Sequence, residues 1–192
     1  LELRRVLFRS GLTYPGVELL IVDPNDVTKD VPVGELGELL VRAPGNLTGY
    51  HNLPDVTAER LLPDGFFRTR DIVRADDQGY VEIIGRADDR ISCAGESIYP
   101  KEVENVLMEH PNVSDVAVVP MADAVKGEVP VAFVVEKTQG KSTPDELKQF
   151  FLSNGAPYMH PRRIYMLPEM PLTSAKKVDR AVLKEIAANP SK

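Results

Sequence analysis

Residues 85–104 read GRADDRISCAGESIYPKEVE: an extended segment, an acidic pivot, a glycine-bearing loop and a proline-opened helix follow one another without a spacer, and they divide the chain. Pro100 suits a first helical position, where its missing amide hydrogen costs nothing. Glu102 and Glu104 are then expected in the electropositive first turn. Val103, Val106 and Leu107, at i, i+3 and i+4, give the helix one apolar stripe.

Upstream of this stretch the pattern is β. In GVELLIVD, residues 16–23, Val17, Leu19 and Ile21 alternate onto one face of a half-buried strand. The polar run Asp26–Asp30 reads as a loop. Glu38–Arg42 is a second strand, antiparallel to the first, carrying Leu39 and Val41. Phe66–Ala75 and Tyr80–Gly85 flank Asp76-Asp77-Gln78-Gly79, a turn whose glycine takes a positive φ at little cost. A short helix is expected from Pro54 to Leu61.

Downstream, helices and strands alternate. The apolar runs Val116–Val119 and Val129–Val135 have the length of buried strands. Thr143-Pro-Asp-Glu146 is a capping box, followed by an apolar face of Leu147, Phe150 and Phe151, with Gly155 expected as a left-handed cap. Arg163–Leu167 is a further strand, and Val182, Leu183 and Ile186 put a face on a last helix after Asp179. The expected fold is α+β: a small antiparallel β part, then a domain ordered hairpin, helix, strand, strand, helix, strand, helix, its small sheet covered on one side.

The 192 residues include 29 acidic and 23 basic side chains, a formal net charge of −6, so no global field favours nucleic acid or an anionic membrane. No apolar run approaches the roughly 20 residues that span a bilayer. The single cysteine, Cys93, excludes an internal disulfide framework and suits a reducing, cytoplasmic compartment. It reads as a small filler in an extended segment. His51, His110 and His160 lack metal-ligand spacing, and no metal ligands are assigned.

Gly85-Arg86-x-Asp88-Asp89-x-Ile91, then Gly95-Glu96-x-Ile98-x-Pro100-x-Glu102-Val103-Glu104, resembles the junction between the large and small domains of the adenylate-forming (AMP-binding) ligases, which include acyl-CoA synthetases, aryl-acid ligases and peptide-synthetase adenylation domains. The resemblance runs from about Gly11 to Leu183. It implies that residues 11–87 are the C-terminal β part, a remnant, of the large AMP-binding domain and that 88–192 are the small C-terminal lid domain. Residues 1–10 match nothing in the family and are read as foreign, disordered or mis-started sequence.

The same resemblance implies site roles. Asp71, ending FRTRD, matches the aspartate that binds the adenylate ribose, since one carboxylate can accept from two hydroxyls. Arg86 matches the arginine that reaches that ribose or its phosphate. Asp88 matches the hinge about which the small domain swivels. Gly95 and Glu96 lie in the loop that swings toward the pantetheine tunnel, although a plain hairpin glycine explains Gly95 equally well. Lys177, in LTSAKKVDR, matches the lysine that meets the substrate carboxylate and the α-phosphate during adenylation. Two positions depart from the family pattern: Arg70 and Lys176 stand where relatives carry glycine.

The phosphate loop, the acid-pocket strand and the Thr-Glu that holds Mg2+ belong upstream in the family and do not occur in these residues. The implied function is therefore the C-terminal part of an ATP-dependent acid:CoA ligase. ATP (as AMP or acyl-adenylate) and CoA would be its ligands, a carboxylic acid its substrate and the absent N-terminal domain its partner, and the isolated piece would be inactive. Two alternatives remain open: an aryl-acid or amino-acid adenylating enzyme that loads carrier-protein pantetheine, and a non-catalytic binding module that kept the fold.

Overall fold

The computed structural model describes residues 9–11 and 13–189. The chain divides into two compact units, the first ending at Asp88 and the second beginning at Asp89.

In the first unit β1 (Arg9–Gly11), β2 (Glu18–Asp23), β3 (Asp26–Asp30), β4 (Gly37–Arg42), β5 (Phe67–Ala75) and β6 (Val81–Arg86) form a six-stranded sheet. Its spatial order is β1-β6-β5-β4-β2-β3, and every pair is antiparallel. Pairing of Arg9 with Glu82 starts this sheet before the expected Gly11. Residues 1–8 of the expected non-matching segment lie outside the described residues.

Asp26–Asp30 is a strand rather than the expected loop. Its charged alternate positions suit an outermost strand, where unpaired backbone faces water and charge discourages further pairing, while Val27 packs inward. The expected stripe also moves. Leu19 pairs with Val41 and Ile21 with Leu39 on one face, but these stay half-buried. The closed core lies on the opposite face, where Val22, Leu40 and Phe66 pack with Val27 and Leu62. Alternation names the two faces of a strand but not which one the rest of the chain covers. Helix α1 (Pro54–Arg60) forms as expected, and the Asp76–Gly79 turn has Gly79 at φ +80°.

The second unit opens with the hairpin β7 (Ile91–Cys93) and β8 (Glu96–Ile98). Then come α2 (Pro100–Met108), β9 (Val113–Asp123), β10 (Gly127–Glu136), α3 (Pro144–Asn154), β11 (Arg163–Leu167) and α4 (Arg180–Ala188). This is the expected order. β10 pairs antiparallel with β9 along its whole length, parallel with β11, and through Gly127 with Cys93 of β7.

The sheet is covered on both sides, not one. Val116, Val118, Ala132 and Val134 face Val103 and Leu107 of α2 and Leu147 and Phe151 of α3. The intervening Ala117, Val119, Val131 and Phe133 face Leu183 and Ala187 of α4. A strand buried on two faces has no polar alternate positions, which is why its sequence is an unbroken apolar run. Cys93, 4% exposed, fills part of the α2/α3 layer.

The capping box of α3 is complete: the Glu146 N–H donates to Thr143 Oγ1 and the Thr143 N–H to Glu146 Oε2 at 2.8 Å. Gly155, however, is extended (φ −119°, ψ 175°), not left-handed. Glycine is needed there for contact: a Cβ would sit 2.9 Å from Cζ of Phe151. On α4 the buried positions are Leu183 and Ala187, with Ile186 at the margin, whereas Val182 faces outward.

Candidate functional site

The candidate site residues fall in both units. In the first, Asp71 of β5 lies opposite Arg86 of β6 in the register, and Arg86 Nη1 donates to Asp71 Oδ1 at 2.9 Å. Thr69 Oγ1 accepts from the Asp71 N–H at 3.0 Å, fixing the strand just before the carboxylate. The other Asp71 oxygen accepts no hydrogen bond among the described residues. Asp71 and Arg86 thus form a paired acceptor and donor, half-buried on one side and open on the other.

Arg70 precedes them in the left-handed region, at φ +64°. Only glycine enters that region freely, so the backbone here has the shape that the family pattern's expected glycine would give it. The guanidinium reaches Asp88 Oδ1 through Nε at 3.2 Å and Nη2 at 2.8 Å, and Glu38 Oε2 through Nη1 at 3.4 Å. Glu38 is fully buried and is held chiefly by Arg68, at 3.1 and 2.7 Å.

Arg60 and Arg86 also approach Asp88 Oδ2, at 3.9 and 3.8 Å. The hydrogen bond from Arg70 holds the Asp88 carboxyl below its ordinary pKa, with partial burial opposing and Arg60 and Arg86 adding to the effect. A depressed carboxyl contributes stability at neutral pH that is lost as pH falls through its folded pKa. Asp88 is half-exposed, so solvent screens much of this. Asp88 ends its unit with its carboxylate held by Arg70.

In the second unit the turn between β7 and β8 has Ala94 at φ +52° and Gly95 at φ +90°, the pair of positive values that a two-residue primed turn requires. A Cβ on Gly95 would meet nothing within 4 Å, so backbone conformation alone accounts for the glycine, and Glu96 beside it is exposed.

Lys177 lies on a tight hairpin. Leu172 bridges Val178, the Thr173 N–H donates to the Lys177 carbonyl at 2.7 Å, and the Lys176 N–H donates to the Thr173 carbonyl at 2.9 Å. Lys176, at φ +56°, makes the turn possible and is, like Arg70, an L-residue in the region that glycine enters freely. The Lys177 side chain is exposed, and its ammonium makes no ion pair among the described residues.

Four contributors escape a reading of sequence alone: Glu38, Arg60, Glu104 and Arg180. Glu104 is not a first-turn charge. It is buried, accepting from the Val118 N–H at 3.0 Å and from Arg180 Nη2 at 2.7 Å. Its place on the apolar stripe, between Val103 and Leu107, was the available sign. Glu38 gave a similar one, as a carboxylate between apolar strand positions. No cluster of three or more His, Cys, Asp and Glu that could hold a metal occurs among the described residues. None of their helices is long and apolar enough to cross a membrane.

Comparison with known proteins gives these features a family. Residues 102–177 match the AMP-binding enzyme C-terminal domain. The chain is 38% identical to 2,3-dihydroxybenzoate-AMP ligase of Bacillus subtilis over 89% of its own length and 31% of that protein's. It is 35% identical to medium-chain fatty-acid–CoA ligase of Escherichia coli, covering 95% of this chain and 32% of that one. The ATP-bound structure of MatB from Rhodopseudomonas palustris superposes with a TM-score of 0.85 at 30% identity, over 95% of this chain and 36% of that one. By sequence and by fold the chain belongs with the adenylate-forming ligases and corresponds to their C-terminal portion. It spans about a third of the length of the curated relatives it matches.

Proposed function

We propose that this chain is the C-terminal part of an ATP-dependent acid:CoA ligase, in which a carboxylate is adenylated and its acyl group then passes to CoA. The observation that carries this reading is the Lys177 ammonium, exposed and without an ion pair among the described residues, on a hairpin whose backbone is hydrogen-bonded on both strands. A preplaced cation of this kind stabilises charge that gathers on phosphoryl oxygens, and it needs no reorganisation when the charge appears.

Asp71 fits a ribose, with one oxygen oriented by Arg86 and the other open to a hydroxyl. Arg86, half-exposed, is placed to share that sugar or its phosphate. Gly95 and Glu96 present a protruding turn to the pantetheine arm, and Asp88 is the pivot between adenylation and thioester formation. ATP supplies the electrophilic phosphorus and CoA the acceptor thiol. Mg2+ is assigned to the upstream part, which carries the phosphate loop in the family, and the isolated piece is expected not to form adenylate.

A second reading, in which the acyl group passes to carrier-protein pantetheine, takes its support from the resemblance to aryl-acid ligases and peptide-synthetase adenylation domains, with 38% identity to a 2,3-dihydroxybenzoate-AMP ligase. A third, a binding module without chemistry, is supported by Arg70 and Lys176 in glycine's place.

The test is Lys177→Ala in the complete enzyme. Adenylate formation is expected to fall by about a hundred- to a thousandfold, as for loss of an oxyanion-hole donor, while thioester formation from supplied acyl-adenylate is spared. Equal loss of both halves refutes the assignment. Parallel assays with CoA and with a pantetheinylated carrier separate the first two readings, and nucleotide binding without turnover selects the third.

A further inference from the structure

β9 forms an edge of the second sheet, since among the described strands it pairs with β10 alone. The outward backbone groups of such a strand need partners or protection. Pro120 has no N–H to offer, and the Val116 N–H donates to Asp115 Oδ1 at 2.8 Å. Val118 between them presents both a donor and an acceptor, and two side chains close on it. Its N–H donates to Glu104 Oε1 at 3.0 Å, and its carbonyl accepts from Arg180 Nη1 at 2.6 Å. Arg180 Nη2 donates to the same Glu104 oxygen at 2.7 Å, which closes the ring.

A planar guanidinium holds two acceptors with separate N–H groups in fixed relation, whereas an ammonium is a single point of charge. Stability alone is a poor explanation for such a pair. Burying the Glu104 carboxylate opposes part of what the attraction gains, and Arg180, its side chain 37% exposed, is partly screened by solvent. What the fork provides and an apolar pair does not is direction.

Arg180 is also the first residue after the segment that carries Lys177. From it the backbone is tied continuously: the Asp179 N–H donates to the Pro171 carbonyl at 2.8 Å, Val178 bridges Leu172, and the Lys177 carbonyl accepts from Thr173. We infer that Arg180 is a positioning residue, which through its fork on Glu104 and Val118 fixes the Lys177 hairpin against the sheet edge. This rests on the proposed role of Lys177.

Amide exchange of the 192-residue chain tests the anchoring. In R180Q and R180K, exchange at Lys176, Lys177 and Asp179 is expected to accelerate on the order of tenfold or more while β10 amides keep their wild-type rates. Unchanged rates in the hairpin, or equal acceleration throughout β10, would overturn the inference. Should R180Q not fold, R180K, which keeps the charge and loses the fork, is read by the same criterion.

In the complete enzyme R180K is expected to lower kcat for adenylation by up to about a hundredfold, the scale of a misplaced reacting group, with the KM for ATP and the thioester half-reaction unchanged. K177A separates the failures. If it leaves adenylation intact, the functional reading falls while the exchange result still judges the anchor. If it abolishes adenylation but R180K leaves kcat intact, the positioning inference alone falls.

Discussion

Arg70 and Lys176 share a backbone conformation that L-residues avoid, at φ +64° and +56°, and they differ in what surrounds it. Lys176 is exposed on its turn, so the penalty at that position is almost purely conformational. Lys176→Val is therefore expected to destabilise the second unit by about 1–2 kcal/mol, because a β-branched side chain worsens the left-handed clash, while Lys176→Asn is close to neutral. Thermal melts of the two variants decide this, and equal melting temperatures would show that the turn relaxes to accept either residue. At Arg70 the side chain adds contacts to Asp88 and Glu38, next to the proposed ribose aspartate. Arg70→Gly in the complete enzyme is expected to raise AMP affinity by removing that bulk. Calorimetric titration giving unchanged or weaker binding would mean that the guanidinium is accommodated or contributes.

At the level of helices and strands, Gly155 separates two explanations for one residue. A left-handed cap would tolerate asparagine, whereas an extended glycine pressed against the Phe151 ring tolerates no Cβ. Gly155→Ala and Gly155→Asn are both expected to destabilise by about 1–3 kcal/mol, the range for overpacking a filled site. A denaturant titration in which Asn matches wild type would restore the cap. This position also shows where sequence stops being informative. The existence and order of elements in the second unit were legible because their signals are local: Thr143 with Glu146, Pro100 at a helix start, Asp179 before α4. The covering of both sheet faces was not legible, because Val116 and Ala117 are alike as apolar residues and nothing local says that α4 returns to the face α2 leaves open. Among site residues, Lys177 and Asp71 were found through the ordered motif around them. Glu104 and Arg180, 76 positions apart in sequence, meet only once the sheet exists.

Taken whole, the molecule divides its buried surface unequally. The second unit has two apolar layers on either side of β9 and β10, with many positions at or below 1% exposure, whereas the first buries a smaller set, Val22, Leu40 and Phe66 in one cluster and Ile72, Val73, Val81 and Ile84 along β5 and β6. Hydrophobic stabilisation follows buried apolar area, so the units are expected to unfold separately, the first at lower temperature. Calorimetry resolving two transitions would agree. A single cooperative transition with coincident loss of both sheets would show that the units stabilise each other.

Cys93, the lone sulfur nucleophile of its kind in the chain, lies inside the α2/α3 layer on the strand that joins β10 through Gly127. An alkylating reagent cannot reach it until that layer opens, so the rate of its labelling is a clock for opening of the second unit alone, readable by mass spectrometry in a mixture and without an engineered reporter residue.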